Sequence, residues 1–231
     1  VDEIARGVPA ETVCEYPNMG RLYHRLAKQL NIEAGNLLIA AGADGAIRQL
    51  FQSFVAPGDT VVLTNPSFGM YGVYAQIFGA NAVTVDYQPT KEGPEISVDS
   101  LLLTINDLRP KVVCLPNPDS PTGTVLTTSE LRAVIHAAGR VGAVISIDEA
   151  YYPFHPETVL PWVYEYPHLI VLRSTSKSWA MAGLRIGYAV GRASLIGILH
   201  KVRPMFEVGN LGVEVFYRIL DREEEMLASV R

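Results

Sequence analysis

The sequence predicts an α/β fold, specifically three α/β/α layers built on a mainly parallel sheet. Short apolar runs rich in β-branched residues alternate along the chain with longer amphipathic stretches. This alternation is typical of parallel sheets with right-handed crossovers. The short runs are apolar on both faces, as expected for strands that helices cover on each side. Ligands of such sheets bind beyond the carboxyl ends of the strands, so the site is expected there.

Each predicted element follows from its local pattern. The apolar runs predict strands at Thr60–Thr64, Ala82–Val85, Lys111–Leu115, Ala143–Asp148, Leu169–Arg173 and Ile186–Val190. Helical periodicity predicts helices at Arg21–Leu30, Gly45–Phe54, Tyr71–Phe78 and Glu130–Gly139. Thr128 or Ser129 is the expected N-cap of the last helix, because both are hydroxyl residues directly before it.

The composition limits the classes of function. Of the 231 residues, 48% are hydrophobic and 19% charged, as in ordinary globular proteins. A net charge of −5 disfavours a nucleic-acid partner, and no apolar run approaches the ~18–20 residues of a membrane span. Cys14 and Cys114 are expected to be reduced thiols of a cytoplasmic protein. The histidines lack metal-ligand spacing, so no metal site is expected.

Polar side chains follow several of the predicted strands. Asn117 stands in a rigid, proline-rich turn, Asp148 closes an apolar strand, and Lys177 follows another strand together with Ser174 and Ser176. A buried acid is costly unless a donor or a cation accompanies it. Each residue also has a structural interpretation: a plain loop for Asn117, a helix N-cap for Asp148 and an exposed surface position for Lys177.

Two further stretches fit the binding of a planar, charged ligand. Gly42, Ala43 and Asp44 precede an amphipathic helix, and a helix start offers free N–H groups and a positive dipole end to an anion. Phe68 and Tyr71 follow another strand and could line a planar ring, although aromatic residues in such positions also serve as core.

Together, these groups are the ones that pyridoxal 5'-phosphate requires. Lys177 would form a Schiff base with its aldehyde, and Asp148 would pair with the ring nitrogen and keep it protonated. Asn117 and Tyr151 would hydrogen-bond the phenolic oxygen of the ring. The phosphate would be held by Arg185, Ser174, Ser176 and the amides at Gly42, Ala43 and Asp44.

The same stretches carry a family resemblance. The chain resembles the fold-type I pyridoxal-phosphate enzymes of the class I/II aminotransferase superfamily, and among them the histidinol-phosphate aminotransferases and their relatives. The matching motifs stand in the family's order: YPNMGRLYHRLA (Tyr16–Ala27), GADGAI (Gly42–Ile47), PSFGMY (Pro66–Tyr71), NPDSPTG (Asn117–Gly123), DEAYYPF (Asp148–Phe154) and STSKSWAMAGLRIGY (Ser174–Tyr188).

The resemblance implies further roles and an architecture. Tyr71 is expected to stack on the cofactor ring, and Tyr16 to reach the phosphate bound by the other subunit of a homodimer. Residues 31–231 are expected to form the pyridoxal-phosphate-binding large domain, with residues 1–30 leading into it. No position matches the arginine with which the family's small C-terminal domain binds the substrate carboxylate, so most of that domain is expected to be absent.

The resemblance also implies the reaction. A transaminase would move an amino group from an amino acid or a phosphorylated, histidinol-phosphate-like amine to a 2-oxo acid, with Lys177, Asp148 and Tyr151 as catalytic residues. Three alternatives stay open: a decarboxylase of the threonine-phosphate type, a non-catalytic cofactor-binding fragment, and an effector module of the kind found in some bacterial regulators. The stretch Val202–Asn210 differs from typical histidinol-phosphate enzymes, which leaves the substrate open.

Overall fold

A seven-stranded sheet forms the centre of the computed structural model, which describes residues 6–230. The outer ends of the predicted segments 1–30 and 31–231 lie outside the described residues. Helices cover both faces of the sheet, so the prediction of an α/β/α fold with a mainly parallel sheet is confirmed.

The elements follow in chain order. The strands are β1 (Leu37–Ala41), β2 (Thr60–Asn65), β3 (Asn81–Asp86), β4 (Gln88–Thr90), β5 (Gly93–Glu95), β6 (Val112–Pro116), β7 (Val144–Asp148), β8 (Leu169–Ser174) and β9 (Ile186–Gly191). The α-helices are α1 (Met19–Gln29), α2 (Gly42–Phe54), α3 (Met70–Ile77), α4 (Val98–Leu108), α5 (Thr128–Val141), α6 (Ala193–Val202), α7 (Asn210–Ile219) and α8 (Glu223–Ser229).

The strand order of the large sheet is β1-β9-β8-β7-β6-β2-β3, and β4 and β5 form a separate two-stranded ribbon. Strands β2, β3, β6, β7 and β8 pair in parallel. In contrast, β9 runs antiparallel to both of its neighbours, β1 and β8. The carboxyl ends of β1, β6, β7 and β8 therefore meet the amino end of β9 at one edge of the sheet.

Two apolar cores lie on the two faces of the sheet. One core contains side chains of α1, α4, α5 and α7, including Leu22, Leu101, Val134 and Phe216. The other contains side chains of α2, α3 and α6, including Ile47. Strand residues alternate between the two cores, because successive side chains of a strand point to opposite faces. The strands are thus buried on both faces, which explains their nearly continuous apolar sequence.

The predicted boundaries differ from the observed ones in instructive places. The N-cap of α5 is Thr127 rather than Thr128 or Ser129, because Thr127 and Glu130 form a reciprocal capping box. Helix α2 begins at Gly42, three residues before its predicted start, on a glycine with a left-handed backbone (φ 77°).

Candidate active site

A cleft of about 360 Å³ opens at the edge where the carboxyl ends of β1, β6, β7 and β8 meet. Its polar lining includes Asp148 from the end of β7, Ser174 from the end of β8, and Ser176, Lys177 and Arg185 from the segment between β8 and β9. Gly42, Ala43 and Asp44 contribute the start of α2, and Tyr151 follows β7. The structure therefore brings together most of the residues that the sequence predicts for the site.

Asp148 is held by donors on both of its carboxylate oxygens. The hydroxyl group of Tyr71 donates to Oδ2 at 2.7 Å, and the backbone N–H of Ala150 donates to Oδ1 at 2.9 Å. The side chain is only 5% exposed although it lines the cleft. Burial raises the pKa of Asp148 to about 6, against the hydrogen bonds from Tyr71 and Ala150, which lower it.

Lys177 carries an exposed amine that lines the cleft. Its Nζ atom is 5.2 Å from the centre of the Tyr151 ring, within the range of a cation–π contact. Among the described residues, no ion pair or hydrogen bond occupies this amine. A primary amine that is accessible and unpaired in a cleft is available as a nucleophile or a proton carrier.

The start of α2 and Arg185 together form an anion cradle. Arg185 has a left-handed backbone (φ 53°) at the end of a short 3-10 turn. Its guanidinium Nη2 lies 2.9 Å from the point where a side chain at position 42 would place its Cβ atom, so Gly42 leaves room for the cation. Ala41, the N-cap residue of α2, has no side-chain cap. The start of α2, with its backbone amides and its positive dipole end, thus lies beside a cation that has no ion pair within residues 6–230.

Gly187 makes this approach possible. A Cβ atom on Gly187 would overlap the backbone nitrogen of Ala43 and the carbonyl carbon of Gly42. Strand β9 and the start of α2 therefore touch through their backbones. Gly187 was not among the predicted site residues, although a glycine inside an apolar strand is a recognised signal of close backbone approach.

The remaining cradle residues have local hydrogen bonds. The Ser174 hydroxyl accepts from the backbone N–H of Ser176 at 3.1 Å, which fixes the turn that leads to Lys177. The carboxylate of Asp44 accepts from the hydroxyl group of Tyr74 at 3.1 Å. Asp44 can thus contribute its backbone N–H to an anion while its own charge is engaged by a neutral donor.

The structure corrects one of the predicted roles. Tyr71 is 1% exposed and does not line the cleft, so its ring is not a surface on which a cofactor can stack. Phe68, which packs edge-on against Tyr71 at 6.1 Å, lines the cleft instead. Asn117 is 4% exposed and its Oδ1 accepts from the Leu126 backbone N–H at 2.8 Å. This hydrogen bond fixes the side chain in the loop, and the predicted bond from Asn117 to the phenolic oxygen stays a prediction. Ser120 from the same turn lines the cleft.

Tyr16 lies outside the cleft of its own chain. It is 77% exposed, and its ring stacks on Phe206 with the ring centres 4.2 Å apart. The structure therefore leaves it free to serve a neighbouring molecule but does not bring it to Lys177 or Arg185.

Directly behind the cleft lies an ion-pair layer, defined by Glu149, Tyr152, Thr158 and Arg173. Arg173 donates to the Glu149 carboxylate at 2.9 Å, and both side chains are almost fully buried. Thr158 donates to the same carboxylate at 2.7 Å, and the Arg173 guanidinium lies 3.6 Å from the centre of the Tyr152 ring. This layer joins the ends of β7 and β8, which carry Asp148 and Ser174.

The composition of the cleft suits a phosphorylated, aromatic aldehyde. The anion cradle fits a phosphate, Lys177 fits the aldehyde, and the carboxylate of Asp148, without a cationic partner among the described residues, fits a protonated ring nitrogen. Phe68 supplies an exposed aromatic face for the ring.

Comparison with known proteins identifies the family. The model of the class I and II aminotransferases matches residues 11–231. The chain belongs to this family. A histidinol-phosphate aminotransferase of Caldanaerobacter subterraneus subsp. tengcongensis is 31% identical over 204 residues, which cover 88% of this chain and 56% of that protein. An aromatic amino acid aminotransferase of Corynebacterium efficiens is 34% identical over 220 residues, covering 92% of this chain and 63% of that protein.

The fold has close counterparts among solved structures. The histidinol-phosphate aminotransferase of Sinorhizobium meliloti in complex with pyridoxal-5'-phosphate superposes with a TM-score of 0.88 at 24% identity, covering 99% of this chain and 62% of that one. The chain spans a little over half the length of the curated relatives that it matches.

Residues 6–230 contain neither a helix that could span a membrane nor a metal-binding cluster. None of the helices in this range combines the length and the apolar character that crossing a bilayer requires. No cluster of three or more His, Cys, Asp or Glu side chains in the same range is arranged to hold a metal ion.

Proposed function

We propose that the protein is an aminotransferase that uses pyridoxal 5'-phosphate to transfer an amino group from an amino donor to a 2-oxo acid. The observation that carries this proposal is the cleft. The unpaired amine of Lys177, the buried carboxylate of Asp148 and the anion cradle at Arg185 all line it. Family membership and the names of the relatives support the same activity.

Different residues of the cleft would bind different groups of the cofactor. Arg185, Ser176 and the amides at the start of α2 would bind the phosphate. Phe68 would pack against the ring, and Tyr151 would donate to its phenolic oxygen. Asp148 would pair with the ring nitrogen and keep it protonated, because a carboxylate that has no ion pair favours a cationic partner.

When bound, the cofactor supplies an aldehyde and an electron-withdrawing ring, which make the Cα–H of an attached amino donor acidic. Lys177 would then act as the general base and acid that removes the proton from Cα of the donor and returns it to the aldehyde carbon of the cofactor, on the other side of the nitrogen. Its exposure and its position beside Tyr151 support this role. Asp148 would stabilise the negative charge of the donor by keeping the ring nitrogen protonated.

We infer that the active protein is a homodimer. The stacked pair of Tyr16 and Phe206 is exposed, and the adjacent Met205 is 80% exposed. Exposed aromatic and apolar residues in one place are typical of a protein interface. A second copy that covers this surface would bring Tyr16 to the phosphate of the other subunit. Residues 31–231 would form the cofactor-binding domain, and residues 1–30 would lead into it. Within that segment, α1 packs on the core through Leu22.

The relatives leave two classes of donor in question, because one is named for histidinol phosphate and the other for aromatic amino acids. We propose an amino acid or a phosphorylated amine of these classes as donor. The cytoplasm is the proposed location, since both Cys14 and Cys114 are free thiols.

The decisive experiment adds pyridoxal phosphate to the purified protein, reduces the mixture with borohydride and maps the modified peptide by mass spectrometry. A visible absorption band and an adduct at Lys177 are expected. The matched control is Lys201, an exposed lysine on α6 outside the cleft, which should stay unmodified. A colourless protein, or label spread over several lysines, would contradict the proposal.

Product analysis then separates transamination from decarboxylation. Histidinol phosphate, which has no carboxylate to lose, and phenylalanine and threonine O-phosphate, which have one, are each offered with 2-oxoglutarate, and both glutamate and CO2 are measured. Glutamate formation without CO2 is the expected result. Release of CO2 without a keto product would replace the transaminase with a decarboxylase.

A further inference from the structure

We propose that Tyr71 is a positioning residue, whose hydroxyl group orients the carboxylate of Asp148 and stabilises its charged form for a cationic ring nitrogen in the cleft. This inference rests on the proposed function, because bound pyridoxal phosphate would supply that ring. It replaces the ring-stacking role that the sequence suggested for Tyr71.

The geometry fixes the carboxylate in one orientation. Tyr71 donates to Oδ2 at 2.7 Å and Ala150 donates to Oδ1 at 2.9 Å, so each oxygen of Asp148 has its own donor. The tyrosine is 1% exposed and packs in the apolar core between α3 and the sheet. A ring held this tightly cannot turn its hydroxyl group away, so the carboxylate keeps its orientation toward the cleft.

The electrostatic surroundings make this donor necessary. Within residues 6–230, Asp148 has no ion pair, and Arg173 of the ion-pair layer is engaged by Glu149. Lys177 and Arg185 line the same cleft, but the charged groups with the largest effect on Asp148 are acidic: Glu149 at the end of β7 and Asp119 from the turn after β6, and both raise its pKa. The hydrogen bonds from Tyr71 and Ala150 oppose that effect and the effect of burial.

Tyr71 is suited to remain a donor. Burial and the adjacent charge of Asp148 raise the pKa of its hydroxyl group well above the ordinary value for tyrosine. The hydroxyl proton therefore stays on Tyr71 throughout the physiological range of pH, and the direction of the hydrogen bond does not change. Removing only this oxygen, as in Tyr71→Phe, preserves the edge-on contact with Phe68.

The test is made on the cofactor-free chain. The carboxyl pKa of Asp148 is followed by 13C NMR of aspartate-labelled protein, and the Asp148→Asn variant assigns the resonance. In Tyr71→Phe the pKa is expected to rise by about one, a tenfold increase in proton affinity, since a hydrogen bond to a charged acceptor is lost. Equal pKa values in wild type and Tyr71→Phe would overturn the proposal.

A matched control lies on the same helix. Tyr74 donates its hydroxyl group to Asp44 at 3.1 Å, so Tyr74→Phe removes a comparable bond to a different carboxylate. The Asp148 pKa is expected to stay unchanged in this variant. If Tyr71→Phe does not fold, a fluorinated tyrosine at position 71 keeps the shape and makes the hydroxyl group a stronger donor. The Asp148 pKa should then fall, and a rise or no change contradicts the proposal.

Cofactor binding gives a second readout. Because more of Asp148 is protonated in Tyr71→Phe, the ratio of its pyridoxal-phosphate Kd to that of wild type is expected to grow about fivefold between pH 8 and pH 6. A tyrosine that only supports the fold would give a ratio independent of pH, which would count against the proposal. If wild type binds no cofactor at all, the proposed function fails, while the NMR comparison still decides the role of Tyr71.

Discussion

Two acids stand side by side at the end of β7, Asp148 in the cleft and Glu149 in the ion-pair layer behind it. Both are at least 95% buried. Glu149 is bound by the guanidinium group of Arg173 and by Thr158, whereas Asp148 receives two neutral donors and no cation among the described residues. Lys177 and Arg185, the cations of the cleft, are likewise without ion pairs in residues 6–230.

The difference distinguishes structural charge from functional charge. A buried ion pair satisfies itself and joins two strand ends, so it needs no ligand. A buried acid without a cation, beside exposed cations in the same cleft, leaves charges available to a ligand with the opposite charges. The predictions below test each side of this comparison separately.

The largest effect is expected from Lys177→Ala, which removes the chemistry of the cleft without touching the layer behind it. Transamination should fall by about 10²–10⁴-fold, because the proton carrier is lost, while some cofactor binding remains. The free energy of unfolding should change by less than about 0.5 kcal/mol, since the side chain is exposed and without partners in the described chain. Coupled assays and urea unfolding give the two numbers. Retained turnover would remove Lys177 from the mechanism.

The opposite result is expected from Arg173→Met, in the ion-pair layer. It leaves the Glu149 carboxylate buried without its cation, which should lower the free energy of unfolding by about 3–5 kcal/mol. The double variant Glu149→Gln/Arg173→Met should regain a large part of this loss, because neither charge is then left alone. Urea unfolding of both variants measures the effect. A loss below about 1 kcal/mol in the single variant would mean that the pair is not a structural element.

Gly187→Ala tests the contact between β9 and the start of α2. The added methyl group overlaps the Ala43 backbone, and the forced shift should cost about 3 kcal/mol of stability as well as weaken phosphate binding. Gly197→Ala on α6 is the matched control, because nothing lies near its added Cβ atom. Thermal unfolding and competition with inorganic phosphate compare the two. Equal behaviour would show that the cradle tolerates displacement.

The smallest effect concerns the dependence of stability on pH. Burial raises the pKa of Asp148 from the ordinary 3.8 to about 6, so the folded chain binds this proton more tightly than the unfolded chain does. Stability contributed by the bound proton is therefore lost as the pH rises from about 4 to about 6. Asp148→Asn should abolish this loss and be more stable than wild type by about 2 kcal/mol at pH 7. Urea unfolding at several pH values measures the difference, and parallel curves would contradict the prediction.

Much of the fold could be predicted from sequence, because strands buried on both faces read as short apolar runs. Strand β1 (LLIAA) escaped prediction, since five apolar residues without β-branched enrichment do not distinguish strand from helix. The antiparallel direction of β9 also escaped, because direction depends on pairing partners and not on local pattern. Helices α4, α6 and α7 were missed although their apolar faces are regular.

The candidate site was predicted well where a residue acts by its charge and less well where it acts by its orientation. Lys177, Asp148 and Arg185 line the cleft as expected, because burying a charged side chain in the apolar core is costly. Tyr71 points into the protein, while its neighbour Phe68 reaches the cleft. The path of a short turn decides which of these side chains reaches the cleft, and the periodicity of the sequence does not predict that path.

The pairing of β1 with β9 also sets the order in which the cleft can come into existence. Leu37 pairs with Val190 and Ala41 with Ile186. Strand β1 is therefore synthesised about 150 residues before β9, the strand with which it pairs. The cradle at Gly42 depends on this pairing, because Arg185 and Gly187 stand at the start of β9. A nascent chain that has not yet released β9 from the ribosome therefore carries Asp148 and Lys177 without a cradle for phosphate, and capture of the cofactor comes after the edge of the sheet has closed.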